Sequence, residues 1–382
     1  MKFMIDENIP YANDFFSHLG QVDRFPGREL RAENLVDVDF LLVRSITKVD
    51  KELLAKANRL KFVGTATIGE DHIDKNYLAE QDITFSSAPG CNAVSVAEYV
   101  LSALLVLAEK YHFEIKNKTI AIVGVGNIGK TLFRLLDVLG IHCLLCDPVR
   151  EENQDFVSDV QFVDLETALK NADVVTFHTP LTHSGPHSTY HLLNENNISL
   201  LKEDVCLLNA CRGEVIDNAA LLQEQITRKE ERRANIKLVL DVWEGEPEPM
   251  AELIPYTDLA TAHIAGYSLE GKARGTEILY NQVCQLIGSP ALHNLTDLLP
   301  EATISNIVIE PNSLTQDSLK RLVHLVYDVR RDDALFRNLL KEEGFDWLRK
   351  NYPLRREWSS LQVNVEKKST ESTDLSKLGF AI

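Results

Sequence analysis

Thr119-Ile-Ala-Ile-Val-Gly124-Val-Gly-Asn-Ile-Gly129 is the stretch on which the fold turns. A short apolar run leads into glycines at 124, 126 and 129, and the residues that follow place Ile128, Leu132, Leu135, Leu136 and Leu139 at helical intervals until Gly140. The spacing predicts a strand, a tight turn and a helix, which is the context a glycine fingerprint needs before it means anything. Gly124 permits the turn, Gly126 lets backbone approach a pyrophosphate, and Gly129 allows the helix to pack closely on the strand. The helix amino terminus then faces the phosphates with free N–H groups and the positive end of its dipole. Asp147, at the end of the next predicted strand, stands where a carboxylate accepts from the adenosine ribose hydroxyls. A carboxylate there repels a 2′-phosphate, so NAD is expected rather than NADP, although Arg150 lies close by in sequence.

Outward from this unit the pattern repeats. Ile141 to Asp147, Asp173 to His178, Val205 to Ala210 and Lys237 to Val242 read as further strands, most of them separated by helical stretches. Upstream, Phe40 to Ser45 and Leu60 to Thr67 are apolar runs ending in small polar residues, as expected of buried parallel strands that deliver loops at their carboxyl ends. Val94 to Ala108 reads as a mostly apolar helix connecting the two regions. Beyond Gly288-Ser-Pro290 the texture changes to an α+β tail, with strands expected near Ile304–Ile309 and Leu361–Val365 and an amphipathic helix near Ser318–Tyr327. The mixed-sign cluster Thr227 to Arg233 reads as the solvated end of a helix.

Composition excludes several classes. At 382 residues the chain holds more than one domain, and 45% hydrophobic with 25% charged residues is the balance of a soluble globular protein. A net charge of -17 argues against nucleic acid or an anionic membrane as partner. It also means that an anionic substrate needs a local basic pocket. The longest apolar stretch, Tyr99 to Ala108, is short of a membrane span. Six cysteines, mostly within apolar runs, suit a reducing cytoplasmic setting; Cys143 and Cys146 read as part of a buried strand rather than a zinc or redox pair. His178, His183, His187 and His191 recur every four or five residues, but Gly185 and Pro186 break any helix that would align the last three, so no metal site is expected.

Three motifs follow the glycine turn in order: Asn209-Ala-Cys-Arg-Gly213, Leu240-Asp-Val-Trp-Glu-Gly-Glu-Pro247 and His263-Ile-Ala-Gly266. With them the chain resembles the D-isomer-specific 2-hydroxyacid dehydrogenases over residues 1 to about 288. The resemblance implies that Arg212, Glu246 and His263 are catalytic and meet in a cleft between two domains. The chemistry suits the residue types. Oxidising a secondary alcohol removes a hydride and a proton, and histidine is the side chain that exchanges protons near neutrality. A carboxylate orients its ring, and an always-charged, forked arginine suits the substrate carboxylate. The same resemblance assigns Thr179, Asp241 and Gly266, together with Asn127 and Ile128 on the glycine turn, to the cofactor.

Arg44-Ser-Ile-Thr-Lys-Val49, Gly64-Thr-Ala-Thr67, Ala88 to Ala93, His263 to Gly275 and the tail motifs Leu322 to Asp333 and Arg355 to Ser360 narrow the resemblance to one branch of that family, acting on a small phosphorylated 2-hydroxy acid. It implies two doubly wound α/β domains, a flavodoxin-like substrate domain (1–95 with 264–288) and a Rossmann NAD domain (96–263), followed by an α+β dimerisation domain (289–382). Ser45, Thr67 and Tyr267 match that branch's substrate-binding positions, and a homodimer through the tail is implied. For the substrate phosphate, Arg44 and the tail pair Arg355-Arg356 are the expected counter-charges. The competing readings are another family member such as a phosphoglycerate dehydrogenase, disfavoured by the run after His263, and a non-catalytic NAD sensor on the same scaffold.

Overall fold

Every residue of Phe40–Val43 and Phe62–Thr65 is buried, the signature of parallel strands covered on both faces. A computed structural model describes residues 1–155, 157, 160–309, 314–365 and 370–382, and they form two units: 1–92 with 268–301, and 93–267 with 302–382.

In the first unit, strands β1 (Lys2–Asp6), β2 (Gln21–Phe25), β3 (Phe40–Val43), β4 (Phe62–Thr65) and β5 (Thr84–Ser86) form one parallel sheet in the order β2-β1-β3-β4-β5. This is the flavodoxin-like order. Phe3 and Phe40 sit opposite each other in register and stack at 4.7 Å. Phe15, Phe16 and Tyr280 complete that aromatic face, Tyr280 arriving on the 19-residue helix Leu269–Ile287. Ser268 caps that helix by accepting from Gly271 N–H at 2.9 Å, and Gly288 ends it in the left-handed region.

The second unit carries β6 (Thr119–Val123), β7 (His142–Cys146), β8 (Val174–Phe177), β9 (Cys206–Asn209), β10 (Lys237–Leu240) and β11 (Leu259–Ala260), all parallel, in the order β11-β10-β9-β8-β6-β7. One further bridge, Leu145 with Phe162, continues beyond β7. Counting that bridge as a strand reduced to one residue gives the 3-2-1-4-5-6 Rossmann order, with β11 added as a seventh strand beside β10. The fold class is thus the expected one, with two doubly wound parallel sheets and a C-terminal α+β region.

The expected connector helix is Ala93–Tyr111, and most of it is buried. It is therefore a core element of the second unit, packing against the helices Asn127–Val138 and Gln316–Val326. Tail strands β12 (Asn306–Ile309) and β13 (Gln362–Val365) pair in parallel. The charged cluster at 227–233 departs from expectation at one residue. Arg228 is fully buried, bonded to Glu224 at 2.7 Å and to the carbonyls of Leu201, Lys202 and Ala234. A helix-end arginine with four acceptors in reach is more stable inside than solvated. All six cysteines are free and buried, and burial pushes the thiols of Cys143 and Cys146 up to about 12, which makes them inert packing groups.

Candidate active site

Because the six strands of the second sheet run parallel, the loops after them emerge on one edge, where ligands bind in open α/β sheets. Gly124 follows β6, Asp147 follows β7, Thr179 follows β8, Arg212 follows β9, Asp241 follows β10 and His263 follows β11. Six of the expected residues therefore sit at the same edge, one per strand.

The glycine turn has the anticipated division of labour. Gly124 lies at φ +90°, and a side chain there would meet the carbonyl carbon of His178 at 2.7 Å. A Cβ on Gly129 would lie 2.1 Å from Gly124 O, so the helix rests directly on the turn. Gly126 alone has nothing within 4 Å, and the helix starting at Asn127 carries no side-chain cap. An open backbone concavity in front of uncapped N–H groups at Asn127 and Ile128 is the shape a pyrophosphate fills. Asp147 accepts from Val125 N–H at 2.8 Å and Arg150 N–H at 3.2 Å. Arg150 is committed elsewhere, to Val125 O at 2.6 Å and to Asp155 at 2.8 Å. The doubt it raised about NAD against NADP loses its basis. Thr179 Oγ1 rests 4.0 Å from Cys211 Sγ, beside the loop that carries Arg212.

His263 Nδ1 lies 2.8 Å from Glu246 Oε2. A carboxylate only accepts, so Nδ1 carries a hydrogen in either charge state, and in the neutral ring Nε2 keeps its lone pair. Glu246 is in turn held by Trp243 N–H, 2.9 Å from Oε1. Burial alone would raise the Glu246 carboxyl, but the His263 charge and these hydrogen bonds outweigh it and hold it below the ordinary carboxylate value.

His263 itself is in the left-handed region at φ +55°, which is costly for a residue with a Cβ. Asp241 explains why it persists. Its buried carboxylate accepts from Thr261 Oγ1 at 2.6 Å, Ile264 N–H at 2.8 Å and Ala265 N–H at 2.9 Å, while its own carbonyl accepts His263 N–H at 2.6 Å. Hydrogen bonds to a charged group contribute about 1.5–3 kcal/mol each, enough to offset the strain of one turn. Gly266 and Tyr267 complete the same turn, closed by Tyr267 N–H to Ile264 O at 2.8 Å.

Arg212 sits one residue before Gly213, where a Cβ would lie 2.0 Å from the backbone carbon of Trp243. The loop bearing Arg212 and the loop leading to Glu246 are therefore in direct backbone contact. In the first unit, Ser45 is exposed just beyond β3, and Thr67, just beyond β4, bonds Thr65 Oγ1 at 2.8 Å and Gly69 O at 3.2 Å. Arg44 places its charge beside the buried Asp6 carboxyl.

Arg355 corrects an expectation. It is buried, with Nη1 donating to Ala265 O at 2.8 Å, Nη2 to Ser95 O at 2.6 Å, and the guanidinium 3.5 Å from the Tyr327 ring centroid. These partners make it a brace beneath the His263 turn and leave it unable to reach a substrate phosphate. The histidine run forms a loop, as expected. His191 leaves it to lie 2.7 Å from Glu244 and 3.6 Å from Asp217, and those three residues are the cluster of metal-ligand type among the described residues. Glu244 and Asp217 already have work there: Glu244 accepts Asn218 N–H, and Asp217 caps the following helix through Ala220 N–H. One residue was legible in sequence only as part of a basic cluster in the tail, with no role in the site. Arg349, on the tail helix Phe345–Lys350, donates from Nε to Tyr267 Oη at 3.1 Å.

Comparison with known proteins gives the family and the fold. Residues 105–265 match the D-isomer specific 2-hydroxyacid dehydrogenase NAD binding domain, and residues 298–379 match a domain of unknown function, DUF3410. A D-lactate dehydrogenase from Aquifex aeolicus, solved with NAD and lactic acid, shares the fold with a TM-score of 0.61 at 24% identity, covering 75% of this chain and 95% of its own. An NAD-bound 3-phosphoglycerate dehydrogenase from Entamoeba histolytica gives 0.63 at 22% identity, with coverages of 75% and 95%. The chain is a D-isomer-specific 2-hydroxyacid dehydrogenase, an NAD-dependent oxidoreductase. Within that family it belongs with the erythronate-4-phosphate dehydrogenases: those of Proteus mirabilis and Tolumonas auensis are 54% and 50% identical, each match covering 100% of this chain and 99% of the relative.

Proposed function

We propose that the chain oxidises 4-phospho-D-erythronate to (R)-3-hydroxy-2-oxo-4-phosphobutanoate, a step towards pyridoxal 5′-phosphate. The observation that carries the chemistry is the 2.8 Å contact between His263 Nδ1 and Glu246 on a turn locked by Asp241. NAD, held at the Gly124–Gly129 turn with its ribose on Asp147, supplies the two-electron acceptor. His263 Nε2 takes the proton from the substrate 2-hydroxyl, and the Glu246 carboxylate stabilises the imidazolium that results. Arg212 holds the carboxylate and steadies the oxygen as it becomes a carbonyl. Ser45, Thr67 and Tyr267 bind the remaining polar groups of the acid, and Thr179, Asp241 and Gly266 complete the cofactor contacts.

The tail, residues 289–382, acts as a dimerisation domain in this reading, beside a substrate domain of 1–95 with 264–288 and an NAD domain of 96–263. In that reading Val308 and Leu354, apolar side chains 64% and 65% exposed on the tail, are candidates for burial against the partner subunit. No helix among the described residues is long and apolar enough to cross a membrane, and buried free thiols suit the cytoplasm. The deciding experiment follows NADH absorbance with 4-phosphoerythronate and, separately, with 3-phosphoglycerate. Turnover of the first alone is expected. Preference for the second, or cofactor binding without turnover of either, overturns the assignment.

A further inference from the structure

With Arg355 occupied beneath the His263 turn and Arg44 set beside the buried Asp6 carboxyl, the dianionic phosphate of the substrate calls for a further cation on a chain of net charge -17. Arg349 has the free valence. Its Nε bond to Tyr267 Oη and its position over the Tyr267 ring, 5.6 Å from the centroid, fix the guanidinium plane. Among the described residues neither of its terminal nitrogens has an acceptor. Other tail arginines have partners of their own, among them Arg321 with Asp317, Arg330 with Asp328, Arg331 with Asp332 and Tyr352, and Arg337 with Asp333 and Thr257, and Arg356 is likewise engaged. Tyr267 belongs to the turn that presents His263, so the guanidinium is tied to the reacting centre through four residues of backbone. Burial opposes the charge on Arg349, but Tyr267, Glu246 and Asp241 face it and outweigh that opposition. It therefore stays cationic inside a half-buried site.

We propose that Arg349 grips the phosphate monoester of the substrate, its two terminal nitrogens donating to the phosphate oxygens while Tyr267 holds the fork in place. The inference rests on the reading of the chain as a dehydrogenase for a phosphorylated 2-hydroxy acid. Phosphate is favoured over carboxylate because Arg212, at the sheet edge with His263, already serves the carboxylate in that reading. The planar fork matches two phosphate oxygens at once, which a lysine point charge cannot do. Placement of Arg349 in the tail fits this specialisation. The solved relatives above cover 95% of their own length but only 75% of this chain, so about a quarter of it is an addition to the common scaffold.

The test uses the full-length, NAD-loaded protein with Arg349→Gln and Arg349→Lys, each checked for folding by near-ultraviolet circular dichroism. For 4-phosphoerythronate the expected rise in KM is about 100-fold in the Gln variant and about tenfold in the Lys variant, the loss that charge-assisted hydrogen bonds imply. The KM for NAD and the kcat/KM for unphosphorylated erythronate stay within about threefold, since phosphate binding touches neither. Equal losses on both acids, or an unchanged KM for the phosphorylated one, overturn the proposal. If the Gln variant does not fold, the Lys variant carries the same comparison. If the wild type turns over neither acid, the substrate reading has failed, and Arg349 is then judged by calorimetric titration with inorganic phosphate. A tenfold weaker affinity in either variant sustains the anion site; equal affinity, or no binding by the wild type, refutes it.

Discussion

Two strand ends in the same sheet each deliver a histidine, and the two are chemical opposites. His178, after β8, is buried, its Nε2 2.9 Å from Thr176 Oγ1 and its Nδ1 without a partner among the described residues. Burial pushes its pKa down to about 3, so it stays neutral at any pH where the protein works. His263, after β11, is partly open to solvent and paired with Glu246. The contrast teaches that neighbourhood, and not residue type or strand position, makes an imidazole a proton carrier. Access lets protons in and out, and a carboxylate on one nitrogen fixes which nitrogen exchanges them.

The sharpest way to break this comparison is His263→Ala, for which kcat should fall by about 1000-fold or more while NADH binding, read by tryptophan fluorescence, survives. A fall below tenfold would mean that the proton leaves by another route. Next in size is the brace. Arg355→Met removes a buried charge from Ala265 O and Ser95 O and should cost about 3 kcal/mol of stability in urea denaturation. Glu246→Gln should lower kcat by about 30-fold, because the amide can present its N–H to Nδ1 and allow the wrong tautomer. The wild-type carboxyl titrates below its ordinary value when folded, so its contribution is complete above the unfolded pKa and is lost only as pH falls through the lower folded one. The wild type should therefore keep a stability advantage over the Gln variant into the acid range.

At neutral pH the smallest effect belongs to His178, and it grows only in acid. Its folded pKa of about 3 lies below the ordinary 6.5, so between those values the unfolded chain binds a proton that the folded one refuses. Stability must then decline by up to about 1.4 kcal/mol for each pH unit below 6.5. His178→Gln should flatten that part of the curve by an equal amount, with turnover at neutral pH nearly unchanged. If the slope survives the substitution, His178 is not its source.

Much of this was legible from residue order. The strand, glycine turn and helix at 119–138 announce themselves through a change of period from continuous apolar to helical spacing. His263 and Glu246, 17 residues apart, meet because parallel strands bring successive carboxyl ends to one edge, and it was the family resemblance of their motifs that paired them in sequence. Strand β2 was not legible, since Gln21-Val-Asp-Arg-Phe25 is a polar edge strand with only Phe25 fully buried. The long helix Leu269–Ile287 hides behind Gly271 and Gly275, which lower its propensity; the Ser268 cap and Gly288 terminator were its available signals. The fates of Arg355 and Arg349 had no local signal. Both sit in one basic stretch, and only tertiary packing buries the first against two carbonyls and leaves the second with an open fork.

Gly213 carries a consequence for how such an enzyme can change. With no room for even a methyl group between it and the Trp243 backbone, the arginine loop and the glutamate loop behave as a single welded piece. Mutation cannot retune one arm without displacing the other. Gly213→Ala would act as a wedge whose damage reaches both at once, so new substrate preferences have to arise in side chains away from that seam.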